Sequence, residues 1–300
     1  MKDAFAPRIP VVGMLVLIAL CFIWGANMVA LKISFVGVPP LLTAVIRSIV
    51  SAFLLALYCR LRGYAVFIPK SELRHAVIIG ILFAFNFLFL YWGTHYTHAS
   101  RAIIFLYAQP FLTALGAHFL LRGDRLNLTK SLALVLAFTG LIPVYLSHPP
   151  ALGPLHWIGD LMLIGGAIFW SATLLYIKKM AGKMNINHYQ TLFAQLFFSI
   201  PLLALASLVF EHGRPVTITT PVVLSILFQC VIVAFISYLV WFWMIHRYAV
   251  SELVIYTFLT PLFGVILSGI FLGENIPAML WVGLALVSAG IYLVNKNGRA

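Results

Sequence analysis

Apolar runs of about twenty residues, joined by short polar connectors, fill this chain from end to end. That pattern leaves few folds open. A helix needs roughly 20 predominantly apolar residues to cross the hydrocarbon of a bilayer. Within it, every backbone polar group must find its partner inside the protein. Ten runs meet the length: about 11–31, 39–59, 75–95, 101–121, 129–147, 157–178, 188–210, 221–246, 251–272 and 277–295. Charged residues make up 9% of the 300 and hydrophobic ones 63%, against about 25% charged in soluble domains. The expected fold is an all-α integral membrane protein with ten transmembrane helices. The first run, from Val11, lacks a small-residue cleavage site and is read as a retained helix rather than a signal peptide.

The net charge of +12 does not point to nucleic acid, because the Lys and Arg residues lie in connectors and form no basic face. They read instead as topology signals. With the N-terminus inside, the inner segments carry Lys2, Arg8, Arg60, Arg62, Lys70, Arg74, Arg122, Arg125, Lys130, Lys178, Lys179, Lys183, Arg247, Lys296 and Arg299. The outer ones carry Lys32, Arg101 and Arg214, and Arg47 alone falls within a span. Both termini are expected in the cytoplasm, and the setting is a bacterial inner membrane. Cys21, Cys59 and Cys230 sit in or beside apolar runs with no CxxC or paired His. They read as packing residues, and no cofactor or metal is expected.

The second half of the chain rewrites the first. FLYAQPFLTALGAHFLLRGDR, from Phe105, returns as YTFLTPLFGVILSGIFLGE, from Tyr256, with Pro261 for Pro110 and Gly273-Glu274 for Gly123-Asp124. FIWGANMVALKI (22–33) returns as IFWSATLLYIKK (168–179), which aligns Trp24 with Trp170 and Asn27 with Thr173. Elsewhere Thr43 pairs with Thr191, Arg47 with Gln195, Ser51 with Ser199, Trp92 with Trp243, His95 with His246, Ser100 with Ser251 and Gly140 with Gly290. The offset stays between 146 and 151. The expected units are 1–150 and 151–300. Five spans per half is an odd number, so the second half enters from the opposite side. Such an inverted repeat is a common transporter plan, with the solute near the midplane.

WGAN in the first helix, an Arg in the second, proline-bearing fourth and ninth helices ending in Gly-acidic, and five plus five spans together resemble the EamA branch of the drug/metabolite transporter superfamily. The resemblance covers nearly the whole chain. It implies a secondary transporter akin to bacterial amino-acid and metabolite exporters. Asp124 stands where the family often has Glu, and Trp170-Ser171-Ala172-Thr173 is a reduced version of WGAN.

Polar and amphipathic residues within apolar spans are the candidates for solute contact. Trp24 and Asn27 share a helix face, as do their mates Trp170 and Thr173. Tyr107 and Gln109 precede Pro110, and Tyr256 and Thr260 precede Pro261, where a missing N–H loosens the helix. Asn86 is matched by Ser237, with Tyr238 beside it. Pro110 and Pro261 are expected hinges, and Gly123 and Gly273 tight ends where helices approach. Arg47 suits a carboxylate. A gating or structural role, by snorkelling, capping a helix or pairing across an interface, is the preferred expectation. His118 reads as a packing residue. No Asp or Glu falls in the middle of a span, so coupling runs through His or water routes, or the carrier is a facilitator.

Rival classes find little support. A membrane enzyme needs a nucleophile–base pair or a metal set, and neither HExxH nor GxSxG is present. A channel needs a filter or a charged ring. A receptor or scaffold needs no repeat. Phosphate-ester carriers need several cationic side chains in the cavity. The expectation is alternating-access export of neutral or aromatic amino acids or related metabolites, with small hydrophobic drugs as the alternative cargo. The expected partners are that solute and the lipid bilayer, with the oligomeric state left open.

Overall fold

The computed structural model describes residues 9–96, 105–121, 124–142, 156–180, 183, 185–273 and 278–297. Among them the regular structure is all helical. The helices are α1 (Val11–Phe35), α2 (Pro40–Arg62), α3 (Leu73–Tyr96), α4 (Gln109–Leu120), α5 (Leu128–Thr139), α6 (His156–Met180), α7 (His188–Phe210), α8 (Thr220–Arg247), α9 (Val250–Leu272) and α10 (Met279–Asn297). Gly123, Ser100, Arg101, His98, His148 and Glu274 lie outside the described residues.

Seven of these, α1, α2, α3, α6, α7, α8 and α9, are long and apolar enough to cross a membrane. The expectation of ten exceeds that number because α4 and α5 are each described over only 12 residues and the apolar stretch described for α10, Met279–Leu293, is also short. Large apolar side chains crowd the outside, Phe53 and Phe119 and Phe271 among them, at 64%, 75% and 70% exposure. A surface like that suits lipid and not water.

Sequence dictates the ends and the breaks. Gly63 and Gly273, at φ of 70° and 69°, cap α2 and α9 in the left-handed region, which glycine enters without a Cβ penalty. A Cβ at Gly273 would meet nothing within 4 Å. This glycine therefore stops a helix; it does not admit a close neighbour, as the sequence suggested. Each proline stands in the first turn after a break. Residues 107–108 form a turn before Pro110, and Thr257 and Phe258 separate Val250–Tyr256 from Leu259–Leu272. The interruption precedes the proline because its ring crowds the residue and the turn before it. The chain tightens there, with Thr260 N–H donating three residues back to the Thr257 carbonyl at 3.0 Å. The Tyr256 carbonyl accepts from the Cys21 thiol of α1 at 3.2 Å. The middle of α8, Gln229–Ser237, winds as a π-helix, and the Cys230 carbonyl accepts from Ser51 of α2 at 2.8 Å.

The helix pairings come in matched sets. Helix α1 packs on α9 and α6 on α4; α3 packs on α6 and α8 on α1; α2 packs on α7, and α5 on α10. Replacing each helix by the one five places along returns the same set. The α5–α10 crossing shows this at atomic scale. A Cβ at Gly140 would lie 2.8 Å from the Gly283 carbonyl oxygen, and one at Gly290 2.7 Å from that of Ala133.

Candidate functional site

A cavity of about 570 Å³ lies among α1, α2, α3, α6, α7, α8 and α9, within the roughly 300–1,000 Å³ usual for small-molecule sites. Its wall includes Trp24, Asn27, Asn86, Tyr107, Trp170, Thr173, Tyr238 and Thr260. Both halves of the chain therefore supply it, and the two tryptophans matched in sequence both face it. Gln109, Ser237 and Tyr256 do not line it, nor do Pro110 and Pro261.

The absent residues work behind the wall. Ser237 accepts the Trp24 indole N–H at 2.9 Å and donates to the Val233 carbonyl at 2.6 Å. It fixes the indole, which Trp241 and Tyr238 also meet edge-on, at 5.2 and 6.4 Å between centroids. Gln109 is consumed in a ring of hydrogen bonds between α4 and α6. Its amide donates to Thr113 at 2.7 Å, Thr113 donates to Ser171 at 3.0 Å, and Ser171 donates back to the Gln109 carbonyl at 3.0 Å. The helix-to-helix role of Gln109 was hidden because its partners stand 4 and 62 residues along. Tyr256 is buried at the α9 break, 1% exposed. Asn86 does both jobs: it lines the cavity, and its amide donates to the Gly166 carbonyl at 2.8 Å.

Arg47 departs most from expectation. It neither snorkels nor caps a helix nor meets a carboxylate. It is 1% exposed, lines the cavity, and sets its guanidinium carbon over the Phe87 ring at 4.1 Å. Its Nε, Nη1 and Nη2 have no hydrogen-bond partner among the described residues. Sequence reading also passed over much of the wall, with Phe87, Tyr91, Gln195 and Trp241 among the residues missed. Gln195 had a usable signal, since it is the repeat mate of Arg47. Trp241 had only its place in a span, and the matched Trp243 points outward at 39% exposure.

The two ends of the bundle differ. The cavity reaches Lys32, in the last turn of α1, Pro40, which begins α2, and Arg214, between α7 and α8. The opposite end is laced shut. The Asp124 carboxylate accepts from the Ser251 N–H at 3.1 Å, from the Ser251 hydroxyl, and from Lys130 at 3.1 Å. It thereby neutralises the N-terminus of α9, where an anion is favoured. Lys130 also donates to Ser251 at 2.9 Å and stands 3.6 Å from Glu252. The Lys178 ammonium fills the neighbouring gap, donating to the Ile245 and Tyr248 carbonyls at 2.7 and 2.5 Å. His118 is structural, its Nδ1 accepting from the Leu126 N–H at 3.1 Å.

The sequence model of the EamA-like transporter family matches twice, over residues 11–146 and 157–296. The chain belongs to the EamA-like transporter family. Several of its relatives carry transporter names. An uncharacterised transporter of Bacillus subtilis, YvbV, is 28% identical over 95% of this chain and 92% of its own length. A probable amino-acid metabolite efflux pump of Salmonella typhimurium is 26% identical over 90% of each. A crystal structure 17% identical in sequence superposes with a TM-score of 0.82, over 95% of this chain and 97% of that one. This EamA-family chain thus has the fold of a solved protein, with a cavity between its two family matches. The family is one of multi-pass membrane transporters with small-molecule cargo, and not of enzymes.

Proposed function

We propose that this EamA-family protein exports neutral or aromatic amino acids, or closely related metabolites, by alternating access. The observation that carries the reading is the cavity. It is lined by residues from both halves, reaches one end of the bundle, and is closed from the other by the Asp124–Lys130–Ser251 network. The wall suits a solute with an apolar side chain and a polar head. Trp24, Trp170, Trp241 and Phe87 offer aromatic faces, while Asn27, Asn86, Thr173, Thr260 and Tyr238 offer hydrogen bonds.

The halves 1–150 and 151–300 act as inverted repeats in this scheme. The double family match and the matched helix pairings support that. With both termini in the cytoplasm of a bacterial inner membrane, as the Lys and Arg distribution implies, the open end faces outward. Exchange of conformations between the halves closes it and opens the Asp124 end. The breaks before Pro110 and Pro261 are the flexing points, since neither interruption is held by a full set of i to i−4 bonds.

The test is uptake of radiolabelled amino acids into proteoliposomes of the purified protein, with and without a pH gradient. Saturable, competable flux of neutral or aromatic amino acids is expected. Absence of flux for every amino acid, in correctly inserted protein, would move the cargo to other metabolites or drugs. Flux that survives collapse of the proton gradient marks a facilitator, and loss marks coupling.

A further inference from the structure

A cation in the cavity wall lacks what a buried cation needs. A guanidinium keeps its charge at any accessible pH and offers five N–H donors. Enclosing it without acceptors is among the costliest arrangements a protein can hold, above all within a membrane. Yet all three nitrogens of Arg47 are enclosed, and among the described residues none has a hydrogen-bond partner. Phe87 at 4.1 Å and Tyr238 at 5.9 Å supply ring faces. Those offset part of the cost and accept no hydrogen bond. The Tyr91 and Tyr238 phenols stand near it, without meeting its nitrogens at hydrogen-bonding geometry. The Tyr91 hydroxyl is itself enclosed and has no hydrogen-bond partner among the described residues. No described Asp or Glu lines the cavity, whereas Lys32 and Arg214 do. The compensating negative charge is missing from the wall.

We propose that the cargo brings it: Arg47 is the anchor for a carboxylate, with the Tyr91 hydroxyl as a second donor. This rests on the amino-acid reading above and names the group by which the cargo is held. A carboxylate presents two oxygens that match the parallel N–H pairs of a guanidinium, and such pairs are strong as well as directional. In the state described, Phe87 and Tyr238 sheathe the guanidinium. The carboxylate reaches it by displacing the Tyr238 ring, which couples cargo binding to the wall of α8. The mirrored position holds neutral Gln195, also in the wall. The cavity therefore has one enclosed cationic anchor, matched to a monocarboxylate and not to a dianion.

The experiment competes analogues against radiolabelled L-phenylalanine and L-leucine in proteoliposomes of the full-length protein. Phenylalaninamide and leucinamide lack the charge, phenethylamine and isoamylamine lack the carboxylate, and 3-phenylpropanoate and 4-methylpentanoate keep it without the ammonium. Loss of a pair of charge-assisted hydrogen bonds should weaken competition by about 100-fold or more for the amides and amines. The carboxylates should retain most of the potency, and inorganic phosphate should compete poorly. Arg47→Gln should erase the discrimination, and Arg47→Lys should keep part of it. The wild-type series needs no variant to fold. Amides or amines that compete as well as the amino acids overturn the anchor and leave amino-acid transport standing, and phosphate as potent as the carboxylates overturns a carboxylate anchor too. Absence of any uptake of either amino acid overturns the amino-acid reading, and the anchor with it.

Discussion

An alanine at position 25 would measure how hard α1 and α9 are pressed together at the cavity wall. A Cβ there would lie 2.7 Å from Phe263 Cβ, 2.8 Å from Gly264 N and 3.0 Å from Phe263 C. Two of the three are backbone atoms and cannot rotate away. Ordinary contact starts near 3.4 Å, so α9 must withdraw by about 0.7 Å. Overpacking costs about 1–3 kcal/mol, and a backbone obstacle puts this site at the upper end. Helix propensity returns about 0.5–1 kcal/mol, since alanine replaces a helical glycine. The net loss is therefore about 2 kcal/mol. On the soluble-domain scale, for a chain of 300 residues, that is a fall of about 3 °C in Tm. The control sits across the same crossing. A Cβ at Gly264 would find its nearest atom at 3.8 Å, so Gly264→Ala keeps the propensity gain without the clash. Both variants should be melted in detergent beside the parent protein. Gly25→Ala unfolding at the parental temperature would refute the close approach. So would an equal loss from Gly264→Ala.

Other substitutions probe other joints. Ser237→Ala leaves the buried Trp24 N–H without its acceptor, a loss of about 1–3 kcal/mol; KM should rise while insertion is unchanged, and an unaltered KM would remove Ser237 as the holder of Trp24. Asp124→Asn discards the Lys130 ion pair and one of the acceptors at the start of α9. Amide exchange over Val250–Tyr256 should quicken by about tenfold, in line with roughly 1.4 kcal/mol for a partly buried charge at a helix N-terminus, and parental exchange would contradict a latch there. Pro110→Ala restores an N–H that can reach the Leu106 carbonyl, so transport should slow at unchanged expression and insertion; normal flux would end the hinge proposal.

The elements were legible where hydropathy alone specifies them. The apolar runs at 188–210, 221–246 and 251–272 lie within a few residues of α7, α8 and α9, because bilayer thickness fixes length. Side-chain roles were legible where periodicity sets the face, as for Trp24 with Asn27 and Trp170 with Thr173. They were hidden where a partner from another helix decides. Whether Gln109 faces the cavity or Thr113 and Ser171 depends on how α4 meets α6, which no local pattern records. Ser237 reads as a lone serine until the Trp24 indole is found 213 residues away. Arg47 was misjudged for a related reason. A charged residue in a span normally finds a partner or snorkels, and its lack of either is a property of the packed bundle. The π-helical turn of α8 carries no signal in its residues.

Mirrored crossings in this protein are alike in shape and unlike in chemistry. By the repeat offset, Gly25 corresponds to Ser171 and Gly264 to Thr113. Where α1 meets α9, Gly25 lets the backbones come close. Where α6 meets α4, the same positions form part of a closed hydrogen-bonded ring with Gln109. The first crossing holds by fit, which varies smoothly as helices slide. The second holds by directional bonds, which weaken steeply with misalignment. In the proposed exchange of conformations each crossing must adopt the geometry of the other. A glycine pair can follow such a shift, whereas the ring must move as a unit or break. Under the proposed alternating access, the two states therefore differ in energy even though one family model matches both halves. The resting state is set by substitutions behind the cavity wall, and not only by the residues that touch cargo.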